Sequence, residues 1–177
     1  FARLMSAVLV LALVVAVPSA LVAAYRGYAQ VALMDTIALA WILAIWRFDR
    51  WSHTTRVVNF LAMLFFVAVG SIVSVGAVGL CYLLAIPVIA VILLGQRAAY
   101  ATIGAGALAM IVLGLAGYSE LTMGDLANDS PVGVLLFALN YACVGALGTL
   151  TAGSVLKGLS RSLNKADTVS ASLEQER

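Results

Sequence analysis

Six long apolar runs divide this chain and limit what it can fold into. They cover residues 4–24, 29–46, 57–75, 77–94, 98–117 and 132–156. A helix of about 20 apolar residues is needed to cross the roughly 30 Å hydrocarbon core of a bilayer, and each run approximately meets that requirement. The sequence therefore predicts an all-α integral membrane protein with six transmembrane helices.

The composition agrees with a membrane protein. Hydrophobic residues make up 64% and charged residues 10% of the chain, and the mean hydropathy is +1.10. Soluble domains carry about 25% charged residues. The first run is longer than the apolar core of a cleaved signal peptide, which has about 7–15 residues, so we expect it to be a retained span.

The basic residues are divided unequally between the two faces that six spans imply. Nine of the ten Lys and Arg residues fall on the face that carries both termini, and Arg26 falls on the other. Because cytoplasmic loops are enriched in Lys and Arg, both termini are predicted to be cytoplasmic. The basic face is expected to contact anionic membrane lipid, and no feature indicates a nucleic-acid partner.

The sixth run passes without a turn into a polar segment, residues 157–177, that keeps helical spacing. Apolar or small residues recur there at about 3.5-residue intervals, and the charged residues fall elsewhere. The positions are Leu156, Leu159, Leu163, Ala166, Ser170 and Leu173. A narrow apolar stripe is typical of a two-helix contact, so we expect the sixth helix to continue as a coiled-coil-like cytoplasmic helix that pairs in a homodimer.

The tail divides the chain into two parts. Residues 1–156 would form a six-helix membrane domain, and residues 157–177 would begin a cytoplasmic signalling helix leading to an output domain further along the polypeptide. The predicted signal-relay positions are Leu156, Leu159, Leu163, Ala166 and Leu173. The chain begins with Phe1 rather than Met, so we expect a further segment upstream.

A few polar side chains within the spans are candidate ligand-binding residues. Asp35 is the acidic residue deepest in a span, roughly 9 Å from its nearer end at 1.5 Å per residue. A carboxylate at that depth is either neutral or paired, and Arg26 is the obvious partner; a functional site and a structural ion pair are both consistent. The candidates, which could line a mostly apolar pocket for a small lipophilic ligand, are Arg26, Asp35, Ser74, Tyr82, Asn140 and Tyr141. Tyrosines near the interface can equally be membrane anchors.

The sequence contains no cluster that indicates catalysis, a metal or a cofactor. The zinc-binding, phosphate-binding and Ser/His/Asp patterns are missing, and His53 alone cannot supply two axial ligands to a haem. Cys81 and Cys143 are expected to be buried and reduced. We therefore expect these residues to perform no enzymatic reaction.

Two further patterns concern helix packing. Gly145, Thr149 and Gly153 recur at four-residue spacing, which allows close approach either within one bundle or between two copies. Pro18 and Pro87 lie inside spans, where each should bend its helix or free a carbonyl.

Residues 81–120 contain an apolar helix that ends in Leu93, Leu94 and Gly95, then the basic Arg97, then an Ala- and Gly-rich returning helix. Together with the linker-like tail, this stretch resembles the multi-span membrane input modules of bacterial sensor histidine kinases and diguanylate cyclases. The resemblance implies a dimeric receptor of the bacterial inner membrane whose output domain performs the catalysis.

The leading hypothesis is a signal-sensing input domain, most naturally of a sensor histidine kinase, that detects a small apolar ligand or the state of the membrane and relays it through the sixth helix. The alternative is a substrate-binding membrane subunit of a transporter, because the size and span number are similar to those of the capture components of energy-coupling-factor transporters.

Overall fold

The chain forms a bundle of helices whose boundaries follow the apolar runs. The computed structural model describes residues 2–47, 51–76, 78–118 and 131–175. The helices are α1 (Ala2–Tyr25), α2 (Ala29–Arg47), α3 (His53–Val75), α4 (Val78–Leu94), α5 (Gln96–Leu113) with a π-helical turn (Gly114–Tyr118), and α6 (Pro131–Gln175). Within the described ranges all regular structure is helical, so the all-α prediction is confirmed.

The number of membrane spans differs from the prediction. Among the described residues, four helical segments are long and apolar enough to cross a bilayer: Ala29–Arg47, His53–Val75, Gln96–Gly117 and Pro131–Lys165. Two further apolar segments, Ala16–Tyr25 and Gly79–Leu94, are shorter. By this criterion the count of six is too high. For α4 the reason is its length, because its 17 residues extend about 26 Å, less than the roughly 30 Å of a hydrocarbon core.

Helix α4 lies at the centre of the packing. It contacts α3, α5 and α6, and α5 also packs against α6, whereas α1 packs on α2, which in turn contacts α3. The larger buried cluster joins α3 to α6, and the smaller one joins α2 to α3. Within α4, Leu83, Ile86 and Pro87 are almost completely buried. The bundle is therefore a central group of α3 to α6 with α1 and α2 added at its side.

The short connections on either side of α4 depend on glycine. Gly95 has φ +90°, and its N–H donates to the carbonyls of Ala90 and Val91, both at 3.1 Å. Gly76 has φ +86° and caps α3 in a similar way, donating to Ser71 and Ile72. Positive φ is readily adopted by glycine and ends a helix within one residue. The predicted turn at residues 93–97 is confirmed, and the two glycines limit α4 to its short length.

The small residues of α6 pack inside the bundle. A Cβ added at Gly145 would lie 3.3 Å from Ile103 Cγ1 of α5, and one added at Gly153 would lie 3.1 Å from Gln96 Nε2. Thr149, between them, is completely buried. Close packing within one chain, one of the two uses considered for this pattern, is observed. It brings α6 against α4 and α5.

The backbones of α3 and α4 approach each other closely at Gly79, at the start of α4. A Cβ there would lie 2.5 Å from the backbone nitrogen of Ile72 and 2.7 Å from the carbonyl oxygen of Ala68. We predict that Gly79→Ala forces α3 and α4 apart and lowers the free energy of unfolding by about 1–3 kcal/mol. Denaturation of the purified protein in mixed micelles measures the change.

Gly104→Ala is the matched control for this substitution. No atom lies within 4 Å of a Cβ at Gly104, and alanine is the better helix former by up to about 1 kcal/mol. The control should be neutral or stabilising. Equal stability of the two variants would contradict the tight α3–α4 contact.

Candidate functional site

The six candidate ligand-binding residues do not share one pocket. A cavity of about 500 Å³ lies where α1 ends, α2 begins and α3 ends, and Arg26 and Ser74 line it. A second cavity, of about 250 Å³, lies between α4, α5 and α6, and Asn140 and Tyr141 line it. Within the described residues, four of the six candidates therefore fall into two separate cavities.

The first cavity, named here the α1–α3 cavity, has apolar walls and a polar mouth. It is lined by Ser19, Val22, Ala23, Arg26, Tyr28, Val31, Ser74 and Val75. Arg26 and Tyr28 are exposed at the turn between α1 and α2. The Ser74 hydroxyl donates to the sulfur of Met34 at 3.8 Å, a weak hydrogen bond. The arrangement suits a molecule with a polar end at Arg26 and an apolar remainder.

Asp35 lies one helical turn beyond this cavity. It follows Val31, which lines the cavity, and precedes Ala38, which is buried against α3, so all three share one face of α2. The Oδ2 atom of Asp35 is buried and has no hydrogen-bond partner. Within the described residues no basic side chain forms an ion pair with it, so the expected pair with Arg26 is not formed. A buried carboxyl oxygen without a partner is costly and is available to a donor group.

The second cavity, named here the α4–α6 cavity, is almost entirely apolar. It is lined by Leu80, Leu84, Met110, Phe137, Asn140, Tyr141 and Val144. Its polar groups are the amide of Asn140 and the phenol of Tyr141. Asn140 is exposed on the surface of α6, and no hydrogen bond of its amide occurs within the described ranges. Few polar groups in an apolar cavity are the usual character of a small-molecule site.

Tyr141 joins the three helices around this cavity. Pro87 has no N–H, so the carbonyl of Leu83, four residues earlier in α4, lacks its helical partner. The Tyr141 hydroxyl donates to that carbonyl oxygen at 3.3 Å. Its ring lies against Gly106 of α5, where any Cβ would collide with the phenol. A single buried side chain of α6 thus contacts the backbone of both neighbours.

The sequence held part of the signal for this contact. It indicated that Pro87 would free a carbonyl and that α5 was rich in glycine, but it did not connect either feature with Tyr141. Tyr82 does not take part: it is 45% exposed and lines neither cavity. Cys81 and Cys143 are also exposed, so the expectation that they are buried is wrong. Both lie on surfaces of their helices that α3 to α6 leave uncovered.

Helix α6 continues far beyond the length of a membrane span. Its 45 residues extend about 68 Å, more than twice the roughly 30 Å of hydrocarbon. The part from residue 157 to residue 175 is named here the stalk. Of the predicted relay positions, Leu156, Leu159 and Leu163 are 37%, 58% and 57% exposed. The side chains of Ala166 and Leu173 lie outside the described residues, although the helix includes both positions.

Leu156 and the exposed leucines of the stalk lie in line with the buried face of α6. Eighteen residues make about five complete turns, so residues that far apart point in the same direction. Leu156 lies eighteen residues after the buried Ala138, and Leu159 lies eighteen after the buried Tyr141. Leu163 has the same relation to the buried Gly145. One face of α6 is therefore covered by α4 and α5 in the bundle and is uncovered in the stalk.

Within the described residues no group of three or more His, Cys, Asp or Glu side chains could hold a metal ion. The fold and these sites define a helical membrane protein in which a bundle with two small cavities is joined to a long polar helix. The family model MASE11 matches residues 1–159, and the chain belongs to this family. MASE domains are membrane-associated sensory modules of bacterial signalling proteins. No curated protein and no solved structure matches the chain significantly.

The coupling energy between Arg26 and Asp35 tests whether these two side chains form an ion pair. We predict that the stability changes caused by Arg26→Gln and by Asp35→Asn are additive in the double variant, with a coupling below about 0.5 kcal/mol. The reason is that, in the part of the chain that the structure describes, the two side chains form neither a hydrogen bond nor an ion pair with each other. Unfolding of the four proteins in mixed micelles gives the coupling energy. A coupling well above that value would mean that the two side chains do pair in the membrane.

Proposed function

We propose that this chain is the transmembrane input domain of a bacterial receptor, in which it senses a small apolar ligand or the state of the bilayer. The output domain would be a histidine kinase or, as a second choice, a diguanylate cyclase, and it would perform all catalysis. The membership of a sensory family supports the input role. The observation that carries the relay is the continuity of α6 from the bundle into the stalk.

The proposed topology has six crossings, both termini in the cytoplasm and a location in the inner membrane. Four segments meet the requirements of a span, and α1 and α4 supply two shorter apolar segments. An even number of crossings returns the chain to the starting side, and the basic residues concentrate on that side. Membrane lipid, headgroups included, would then surround the bundle and contact the basic loops.

The proposed partner of the stalk is the stalk of a second copy. Most of the stability of a helix in a protein comes from packing of its apolar face, and without a partner the exposed Leu159 and Leu163 would remain in water. Two copies in one membrane present their stalks side by side and parallel, which suits a two-stranded coil. We limit this contact to the stalk, because the same face of α6 is covered by α4 and α5 in the bundle.

The proposed relay is a change in how α6 packs against α4 and α5. A rotation or tilt of α6 in the bundle must also move the leucine face of the stalk, since both belong to one helix. A ligand can drive such a change only if it binds the two arrangements with different affinity.

The alternative function is a substrate-capture subunit of a transporter of the energy-coupling-factor type. The α1–α3 cavity of about 500 Å³ favours it, because it opens at one end of the bundle and has a polar mouth. A transporter subunit has no need for a paired stalk. A kinase or cyclase domain in the same reading frame would support the receptor, whereas neighbouring genes for an ATPase and a coupling membrane protein would support the transporter.

Pairing of the stalk is tested by disulfide cross-linking between copies. In a background with Cys81→Ser and Cys143→Ser, we predict efficient cross-linking of Leu159→Cys and of Leu163→Cys in native membranes. Ser160→Cys is the matched control, because it is equally exposed but points about 100° away from Leu159. Equal cross-linking at position 160, or none at all three positions, would contradict the proposed contact.

Mechanical continuity predicts the effect of an insertion. One alanine added after Lys157 rotates the rest of the stalk by about 100° relative to the bundle. We predict that output in the full-length receptor becomes locked or loses its response, while the amount of protein in the membrane stays unchanged. An insertion of seven residues, about two turns, restores the phase and should restore the response. Normal output from the one-residue insertion would contradict a rigid relay.

A further inference from the structure

We propose that the α1–α3 cavity binds a single-chain amphiphile with an anionic head, a carboxylate or a phosphate, which contacts Arg26 while the chain lies along the apolar walls. The inference gives a chemical class to the ligand of the proposed function and rests on that function only for its consequence in signalling. Binding itself can be measured without any output. The charge at the mouth, the start of α2 and the size of the cavity each support this class.

Arg26 gives the mouth of the cavity a positive charge. It lines the cavity, and within the described ranges it forms no ion pair. Ser19 and Ser74 add hydroxyl groups to the same lining. A guanidinium group can donate two parallel N–H groups to a carboxylate or a phosphate, and such charge-assisted hydrogen bonds are roughly twice as strong as neutral ones. An anionic head therefore matches the charge of this cavity.

The start of α2 adds hydrogen-bond donors to the same mouth. The first N–H groups of this helix belong to residues 29–31, and among the residues that the structure describes none of them has an acceptor. The start of α3, by comparison, is capped by Ser52. Val31 and the preceding Tyr28 both line the cavity. Free N–H groups and the helix dipole favour an anion at such a position, so the backbone and Arg26 favour the same charge.

The size and walls of the cavity fit one long apolar chain. A cavity of about 150 Å³ holds benzene, so the volume of about 500 Å³ corresponds by proportion to roughly twenty non-hydrogen atoms. That is the size of a fatty acid and well below that of a phospholipid with two chains. Val22, Ala23, Val31 and Val75 form apolar walls. Because Val22 and Val75 are more than half exposed, the chain can enter from the surrounding lipid.

The position of Asp35 restricts the head to the mouth. Asp35 does not line the cavity. It lies six residues, about 9 Å, inside α2, and its buried Oδ2 atom has no hydrogen-bond partner within the described ranges. A second anionic group at that depth would be without water or a described cation to stabilise it. The amphiphile therefore binds with its head at Arg26 rather than at the buried end of the cavity.

Photolabelling in lipid nanodiscs tests the site. The probe is a hexadecanoate with a diazirine on its chain, used in discs of phosphatidylcholine, and mass spectrometry of the whole chain locates the labels. We expect labels in residues 19–31 and 74–75, which line the cavity. Hexadecanoate and hexadecyl phosphate should compete with the probe. Methyl hexadecanoate, which has the same chain and no charge, should not compete.

A pair of tryptophan variants tests whether the labels report the cavity. Val75→Trp, which fills the cavity, should abolish the labels. Val58→Trp is the matched control and should leave them unchanged. Val58 lies on the same helix as Val75, is similarly exposed at 50% against 53%, and does not line the cavity.

The contacts to the anion are tested at Arg26 and at the start of α2. Arg26→Gln should weaken competition by hexadecanoate roughly tenfold or more, the value of a hydrogen bond to a charged group, and Arg26→Lys should restore most of it. Arg97→Gln is the matched control, because Arg97 is exposed and does not line the cavity. Ala29→Glu places a negative charge at the start of α2, which stabilises the helix. It should weaken binding without a loss of protein stability.

Four results would overturn the proposal. Equal competition by methyl hexadecanoate would mean that the chain alone binds. Unchanged competition in Arg26→Gln would mean that the head lies elsewhere. Labels that are absent from the cavity, or spread evenly over the lipid-facing helices, would mean that no site exists. Loss of the labels in discs of phosphatidylglycerol would mean that an anionic lipid with two chains occupies the cavity.

The stalk gives a separate readout. If cross-linking of Leu159→Cys changes with hexadecanoate and not with its methyl ester, both the site and its signalling role are supported. If labelling is competed as expected and cross-linking is unchanged, the site is supported and its signalling role is contradicted. If the cavity is not labelled and the stalk cross-links as predicted, the pairing of the stalk is supported and this site is overturned.

Discussion

The hydrogen bond from Tyr141 to the carbonyl of Leu83 is the interaction on which the rest of the structure depends. Hydrocarbon contains no water that could donate to a free carbonyl. Pro87 leaves the Leu83 carbonyl of α4 without its helical donor, so another helix must supply one. The Tyr141 hydroxyl of α6 donates to this carbonyl at 3.3 Å, and Gly106 leaves room for the ring. The contact fixes α6 beside α4 and α5 at one rotation.

The consequences extend beyond the bundle because α6 is a single helix. The small residues Gly145, Thr149 and Gly153 continue the packing that Tyr141 begins. The same face then carries Leu156, Leu159 and Leu163 where no helix of the bundle covers it. This face of α6 carries small residues where other helices cover it and leucines where it is exposed. Such a pattern suits a helix that packs in the membrane bundle at one end and against a partner at the other.

Much of this fold could be predicted from the sequence, because length and hydrophobicity determine where membrane helices lie. The six apolar runs, the turn at Gly95 and the helical tail all correspond to observed elements. Four helices rather than six meet the length criterion for a span, and α4 falls short of it because the glycines that end α3 and α4 shorten it. The candidate pocket could not be predicted: the sequence gives the direction of each side chain within its helix, whereas the order of helices in the bundle separates Arg26 from Tyr141. Arg26 and Asp35 do not pair for a different reason: Arg26 is exposed at the turn before α2, whereas Asp35 lies six residues, about 9 Å, inside that helix.

The account depends most on α6 remaining one helix from the bundle into the stalk. Amide hydrogen exchange of the chain in lipid nanodiscs, followed by mass spectrometry across residues 145–170, measures this directly. The account predicts slow exchange that continues without a break through Leu156 and Lys157 and into the stalk. Exchange at the rate of an unfolded peptide from residue 157 onward would contradict it, because no rotation or tilt of α6 could then reach a cytoplasmic partner.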